Sequence, residues 1–244
     1  YLLRRRGKIR SERIAAALQV TRRLQPDLVV CTGDLTAVGD PAEFNLANEH
    51  LACFAADPAW TFVYIPGNHD LYVKNAACRA HFMATYERLN GGRFPFAQLP
   101  VEHCQDGVEF LLINECQPNG PLSSGGRLEV ESADRLRDWL QRDRSDGVAR
   151  VLLGHFPTAD HWGRPLPARR RMVGGEIIRQ ALTEGALDVS LCGHIHHGFA
   201  RREGLGGLEV CAGSLTMEGR LSVLDIDATA TVQHRFEELE RTSG

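Results

Sequence analysis

The sequence predicts an α/β protein in four layers, an α/β/β/α sandwich of two mixed sheets face to face with flanking helices. Three observations predict it. Over the first two-thirds, short apolar runs alternate with amphipathic stretches, the pattern of parallel strands joined by crossover helices. Over the last third, short runs are separated only by turns, the pattern of antiparallel hairpins. And 43% of the 244 residues are hydrophobic against 24% charged, enough to bury a sizeable core. No internal repeat, low-complexity tract or interdomain linker divides the chain, so residues 1–244 read as a single domain.

Residues 11–25 form an amphipathic helix with Ser11 as N-cap and Ile14, Ala17, Leu18 and Leu24 on one face. Pro26 ends it. Asp27–Cys31 is a short strand leading into the turn Thr32-Gly33-Asp34. Asp40 caps the next helix, with Pro41 at its first position and Glu43 closing a capping box. Trp60–Ile65 is a strand ended by Pro66-Gly67-Asn68-His69-Asp70. A helix at 75–89 is broken by Gly91-Gly92. Val108–Ile113 is a strand, 118–127 a surface loop and 132–143 a helix with Leu136, Trp139 and Leu140 inward. Val151–Leu153 is a strand ending in Gly154-His155. Pro157–Gly175 has no periodicity. A helix at 175–184 precedes an apolar strand, Leu187–Leu191, and then Cys192-Gly193-His194-Ile195-His196-His197. Strands follow at 198–202, 207–212, 219–226 and 229–236, and a helical stub or disorder ends the chain.

Composition excludes some classes of function. The net charge is −3, and no basic-aromatic groove pattern appears, so nothing points to nucleic acid or to a membrane surface. Two arginine runs, Arg4–Arg6 and Arg169–Arg171, are local exceptions. No apolar run approaches the ~20 residues of a membrane-spanning helix. Seven cysteines, an odd number without a C-x-x-C pair, favour reduced thiols and a cytoplasmic location. A homo-oligomer is compatible with this surface.

Chemistry concentrates at four strand ends: Asp34 in Gly-Asp, Asn68 in Gly-Asn-His-Asp, His155 in Gly-His, and His194 with His196 in Gly-His-Ile-His. Each follows an apolar run and a glycine. Ligand sites of α/β sheets gather at the carboxyl ends of strands. In extended chain, His194 and His196 point to the same side and can aim both rings at one point. Taken singly, each residue reads as a turn or loop polar group; four repeats of strand, glycine and ligand lift the joint reading to a metal site. Mixed carboxylate, amide and imidazole donors suit Mn, Fe, Zn or Co. His161 and His197 stand beside these motifs and are candidates for contact with substrate or ligands. His50, His81, His103 and His234 have no such context.

The order Gly-Asp, Gly-Asn-His-Asp, Gly-His, Gly-His-x-His resembles the calcineurin-like metallophosphoesterase superfamily. The stretch Pro26–Thr36 looks particularly like its branch of cyclic-nucleotide and glycerol phosphodiesterases. The resemblance spans residues 11 to about 226. It implies two divalent metal ions, with Asp34 bridging both, Asn68, His155 and His194 completing the second site and His196 belonging to the first. It also implies that His69 binds no metal but faces the phosphate and assists the leaving group. The implied reaction is hydrolysis of a small-molecule phosphodiester by in-line attack of a metal-bound hydroxide. Apart from the resemblance, Arg169, Arg170 and Arg171 lie in the irregular segment after His155 and either dock an anionic substrate at the mouth of the site or form a solvated basic loop. One departure stands out. The family begins with a strand ending Asp-x-His, which supplies the first metal, and no Asp-x-His occurs in this sequence. The expectation is a domain incomplete at its N-terminal end, with the first site incomplete and hydrolysis by this chain alone impaired. The alternative is a metallophosphoesterase-fold scaffold or protein-binding module.

Overall fold

Alternation of side chains along the strands sets the layers. The computed structural model describes residues 10–119 and 123–239, so the run Arg4–Arg6 lies outside the described residues. Along β2 (Thr61–Tyr64), Phe62 and Tyr64 pack with Phe44 and Phe54 of α2 (Pro41–Ala55) and Phe82 and Tyr86 of α3 (Ala76–Asn90). Val63 and the following Ile65 pack the other way, against Phe110 and Leu112 of β4 (Val108–Leu112) and Val151 and Leu153 of β5 (Ala149–Leu153). On the far side of that sheet, Leu111 and Leu152 meet Leu136 and Trp139 of α4 (Val130–Gln141) and Ile178 and Leu182 of α5 (Glu176–Glu184). Helices, strands, strands, helices is the predicted stacking.

The larger sheet has six strands in the order β3-β4-β5-β6-β8-β7, with β3 at Val101–Gln105, β6 at Val189–Cys192, β7 at Phe199–Glu203 and β8 at Gly207–Cys211. Its centre, β4-β5-β6-β8, is parallel, and β3 and β7 run antiparallel at the edges. On the smaller side, β1 (Leu28–Cys31) pairs in parallel with β2, and the hairpin of β9 (Arg220–Ile226) and β10 (Val232–Glu238) forms a separate pair. Side chains seal the free edge of β2. The Asn90 amide bonds both the N–H and the carbonyl of Tyr64, and Arg93 donates to the carbonyl of Phe62. An edge occupied this way accepts no further strand.

The capping box at α2 forms as expected. The Asp40 carboxylate accepts from Ala42 N at 2.8 Å, and Glu43 accepts from Asp40 N. At α1 (Glu12–Leu24) the expectation fails: Ser11 is already helical in backbone and its hydroxyl caps nothing. Three elements are not legible in the sequence, one of them the 3-10 turn Phe96–Gln98. β3 is a half-exposed edge strand without an apolar run, and α6 (Leu215–Glu218) is a single turn. β10 extends to Glu238, in place of the expected stub at its start. The loop at 118–127 is less superficial than expected: Gly125 and Gly126 are buried, and Arg127 bridges to Val173.

Candidate metal centre

Two tight loops leave β1 and β2 side by side. Their closest approach is glycine on glycine. A Cβ on Gly67 would lie 2.2 Å from both the backbone N and a carboxylate oxygen of Asp34, and Gly33 has φ +94°. No other residue fits at either place. Asp34 itself has φ 59°, a left-handed conformation that costs a non-glycine residue energy. The Asp70 carboxylate holds it there. One oxygen accepts from Asp34 N, Gly67 N and the Tyr64 hydroxyl, the other from Thr36 N and the Thr36 hydroxyl. Burial, with the neighbouring Asp34 carboxylate, pushes Asp70 up to about 6. Asp70 belongs to the motif Gly-Asn-His-Asp, yet its role is not legible there, because its partners are 3 to 36 residues away in sequence.

The two imidazoles come from the larger sheet. His155 follows β5, and its Nδ1 donates to the carbonyl of Thr32 at 2.6 Å. A carbonyl only accepts, so Nδ1 carries the hydrogen and Nε2 presents a lone pair. That lone pair faces Asn68 Oδ1 at 3.2 Å and Asp34 Oδ1 at 3.5 Å. By the same logic His194 donates from Nε2 to the carbonyl of Arg170 at 3.0 Å and turns its Nδ1 lone pair to Asn68 Oδ1 at 2.9 Å. Burial above all, with the Arg170 guanidinium nearby, pushes His194 down to about 2, so no proton takes that lone pair. Ligand atoms of Asp34, His155 and His194 all lie within 4.8 Å of one another. Asp34 Oδ2 and Asn68 Nδ2 are buried without a hydrogen-bond partner among the described residues.

Four electron-rich atoms turned to one point repel each other unless a cation lies among them. The donor set therefore fits a divalent metal. A further carboxylate, Glu115, supports it from behind by accepting the N–H of His155 at 2.9 Å. Burial pushes Glu115 up to about 8. Nothing in the sequence marked it beyond its place just after a strand.

The remaining predicted residues lie around this cluster. His194 and His196 are not in extended chain. β6 ends at Cys192, and both histidines sit in the following loop with φ of 65° and 53°. The shared direction expected from strand geometry is therefore not the device. His196 stands near enough for its charge to depress His194, yet it is not among the three clustered ligands. His69 donates from Nδ1 to the carbonyl of Ala37 at 2.6 Å and stacks on Tyr72, ring centroids 5.5 Å apart. The Glu43 carboxylate, through Ala37 N and Val38 N, fixes the loop bearing that carbonyl. His69 N in turn donates to Asp34 at 3.0 Å. Of the arginines, Arg170 is half-buried and supplies the carbonyl that orients His194, while Arg169 and Arg171 are exposed. His161 and His197 meet, ring centroids 4.9 Å apart.

The model of the calcineurin-like phosphoesterase family matches residues 8–198. A probable cyclic nucleotide phosphodiesterase of a Synechococcus strain is 30% identical over 206 residues, 82% of this chain and 69% of that protein. A Staphylococcus aureus structure named for 5′-nucleotidase superposes with TM-score 0.58 at 15% identity, over 95% of this chain. The chain spans about half of that one, 49%. A dimetal phosphatase from Danio rerio superposes with TM-score 0.53 at 13% identity, over 85% of this chain and 78% of its own. At these identities the structures speak for the fold alone. No helix among the described residues is long and apolar enough to cross a membrane.

Proposed function

The chain belongs to the calcineurin-like phosphoesterase family, and from that premise we propose that it is a metal-dependent phosphodiesterase. The observation that carries the reading is the convergence of Asp34, Asn68, His155 and His194 on one point with their lone pairs inward. These four would hold one divalent cation, and Asp34 with His196 would contribute to a second. Bound there, divalent cations supply Lewis acidity to a phosphoryl oxygen and lower the pKa of water from 15.7 towards ~7.

The chain's own residues have distinct parts in this reading. Asp34, His155 and His194 are held by Asp70, Thr32 and Arg170 before any substrate arrives, the preorganisation that electrostatic catalysis needs. His69 keeps one hydrogen on Nδ1 towards Ala37; with a second proton on Nε2 it would be an imidazolium that gives that proton to the departing ester oxygen and returns to the neutral ring. The guanidinium of Arg170, half-buried beside His194, is placed to attract an anionic ester, with Arg169 and Arg171 at the outer edge. The diester preference rests on the name of the Synechococcus relative. A cytoplasmic location rests on seven free thiols.

The test pairs elemental analysis with hydrolysis of a phosphodiester panel. About one tightly held divalent metal is expected from the donor count, at the site with four ligands, and it should be lost in His194→Ala. Diester hydrolysis that appears with added Mn, Fe, Zn or Co and vanishes with chelation supports the reading. A chain that binds metal but hydrolyses no ester under any loading would instead favour a scaffold. Two tightly held metals would mean that residues beyond Asp34 and His196 complete the other site.

A further inference from the structure

The carboxylate of Glu43 reaches further than a helix cap requires. In a capping box the third helical residue accepts the N–H of the cap residue. Here that bond is the longest one Glu43 makes, 3.3 Å from Asp40 N. The same oxygen, Oε2, accepts from Ala37 N at 3.1 Å and from Val38 N at 3.0 Å, both outside the helix. Around them, Thr36 N donates to Asp70 and Gly39 N to the Thr36 hydroxyl, so every N–H from Thr36 to Asp40 is held by a side chain. The peptide group that joins Ala37 to Val38 has a second tie. Its N–H meets Glu43, and its carbonyl, pointing the opposite way across a trans peptide, accepts from His69 Nδ1 at 2.6 Å. That is shorter than the ~2.9 Å usual for such bonds. A carboxylate on the N–H side polarises a peptide and makes its carbonyl oxygen a stronger acceptor. Two further contacts restrain His69. Tyr72 covers one face of the ring, the planes 13° apart, and the backbone N–H is tied to Asp34.

We infer that Glu43 is a positioning residue for His69, acting through the Ala37–Val38 peptide as a carboxylate–peptide–imidazole relay. The relay keeps a hydrogen on Nδ1 and reserves Nε2 for the proton that goes to the departing ester oxygen. This rests on the phosphoesterase reading above and adds to it how the proton donor is held. Where a carboxylate touches a catalytic imidazole directly, it sets the tautomer and the orientation of the ring. Here one peptide stands between them and passes both effects on. A plain helix cap would need only the bond to Asp40. The two shorter bonds to the loop are what the relay requires.

Two measurements separate the relay from a plain cap. The first needs no turnover. Protein labelled with heavy nitrogen at histidine is followed by NMR, and the His69 ring signals are assigned by their loss in H69A. The unaltered chain is expected to show a slowly exchanging Nδ1–H proton, moved downfield by its short bond. E43A should lose it and leave the ring as a mixture of tautomers. E43Q, whose amide oxygen can still accept the two loop N–H groups, should keep it with a smaller downfield shift. An unchanged ring signal in E43A would overturn this inference alone, however much the helix cap is weakened.

The second measurement compares two diesters on metal-loaded protein. For a diester with an alkyl leaving group, which needs a proton to depart, kcat should fall roughly 10–100-fold in E43A, the scale for groups that orient a functional imidazole from outside. A nitrophenyl diester, whose leaving group departs without a proton, should lose much less, and KM should hold for both. E43Q should recover most of the alkyl rate, and in an H69A background E43A should cost nothing more. Equal losses on the two diesters, or full additivity with H69A, would overturn this inference alone. Failure of the unaltered chain to hydrolyse either diester under any metal loading would overturn the phosphoesterase reading and this inference together.

Discussion

Asp70 and Glu209 are both buried carboxylates that gather several hydrogen bonds, one beneath the metal loops and the other beneath the turn that carries Trp162. Their donors differ in kind. Glu209 pairs with a cation, the guanidinium of Arg201, besides bonding Thr158. Asp70 receives only neutral donors, three backbone N–H groups and two hydroxyls, and no Lys or Arg pairs with it among the described residues. A buried anion without a counter-ion is costly, and here a second anion, Asp34, stands beside it. The Glu209 network is electrically closed within the protein. The Asp70 network has no counter-ion among the described residues, and the cation proposed for Asp34, Asn68, His155 and His194 would supply one. The same residue class thus builds a rigid turn in one place and the frame of the proposed cation site in the other.

The largest effect that tests this contrast is on Asp70. Asp70→Ala strands the N–H groups of Asp34, Thr36 and Gly67, at roughly 1–3 kcal/mol for each donor left buried and unpaired. Stability to denaturant should fall by about 3 kcal/mol or more, and elemental analysis should find the metal gone. Glu209→Ala should destabilise the chain while leaving metal content intact. Equal metal loss in both variants would mean that the two networks are one, and the contrast would collapse.

That contrast was only half visible in the sequence. Asp34, Asn68, His155 and His194 could be picked out because each ends an apolar run and follows a glycine, a purely local pattern. The work of Asp70 depends on donors brought together by two separate loops, so the letter Asp beside Asn-His revealed nothing of it. Glu209 lies in Gly207-Leu208-Glu209-Val210-Cys211, where alternation would turn it out to solvent; β8 is buried along its whole length, and Glu209 is inside with Arg201 as its counter-ion. The His-x-His pair reads as extended chain because left-handed backbone is rare away from glycine. Both histidines nonetheless adopt it, and no local signal announces that.

His69 sharpens the comparison from inside the Asp70 loop. It is one residue from both Asn68 and Asp70, but its ring is oriented by a different group, the Ala37 carbonyl on a loop that Glu43 fixes. Its contribution should therefore be separable from the frame. In the metal-loaded enzyme, His69→Ala should lower kcat by roughly 10²–10⁴, the scale for a lost acid–base group. Metal content and the denaturation midpoint should hold. Activity and metal lost in proportion would return His69 to the frame and remove its assignment to proton transfer.

The smallest expected effect is a slope in pH, and it probes the closed network. Burial raises Glu209 above its usual 4.5, even though Thr158 and Arg201 act to lower it. An acid whose pKa is higher in the folded chain binds more proton there than in the unfolded chain, over the interval between the two values. Stability contributed by this group is therefore greatest at pH below 4.5 and is lost as pH rises through the raised value. In Glu209→Gln the amide has no proton to lose, so that contribution to the slope disappears. Urea midpoints of the two proteins, measured from pH 4.5 upward, should draw closer together or cross in favour of Gln as pH rises. Gln differs from protonated Glu209 in carrying an NH2 in place of OH, so a constant offset is expected beneath this trend, whereas the Arg201 pairing is made by the ionised form alone and is already part of the shifted pKa. An offset that stays flat across the range would mean that the Arg201 pairing fully cancels the burial of Glu209, and a gap that widens with pH would mean that it more than does so. Either result would leave Glu209 titrating as an exposed glutamate does or more acidly, and would mean that the Arg201 pairing and not burial governs its proton.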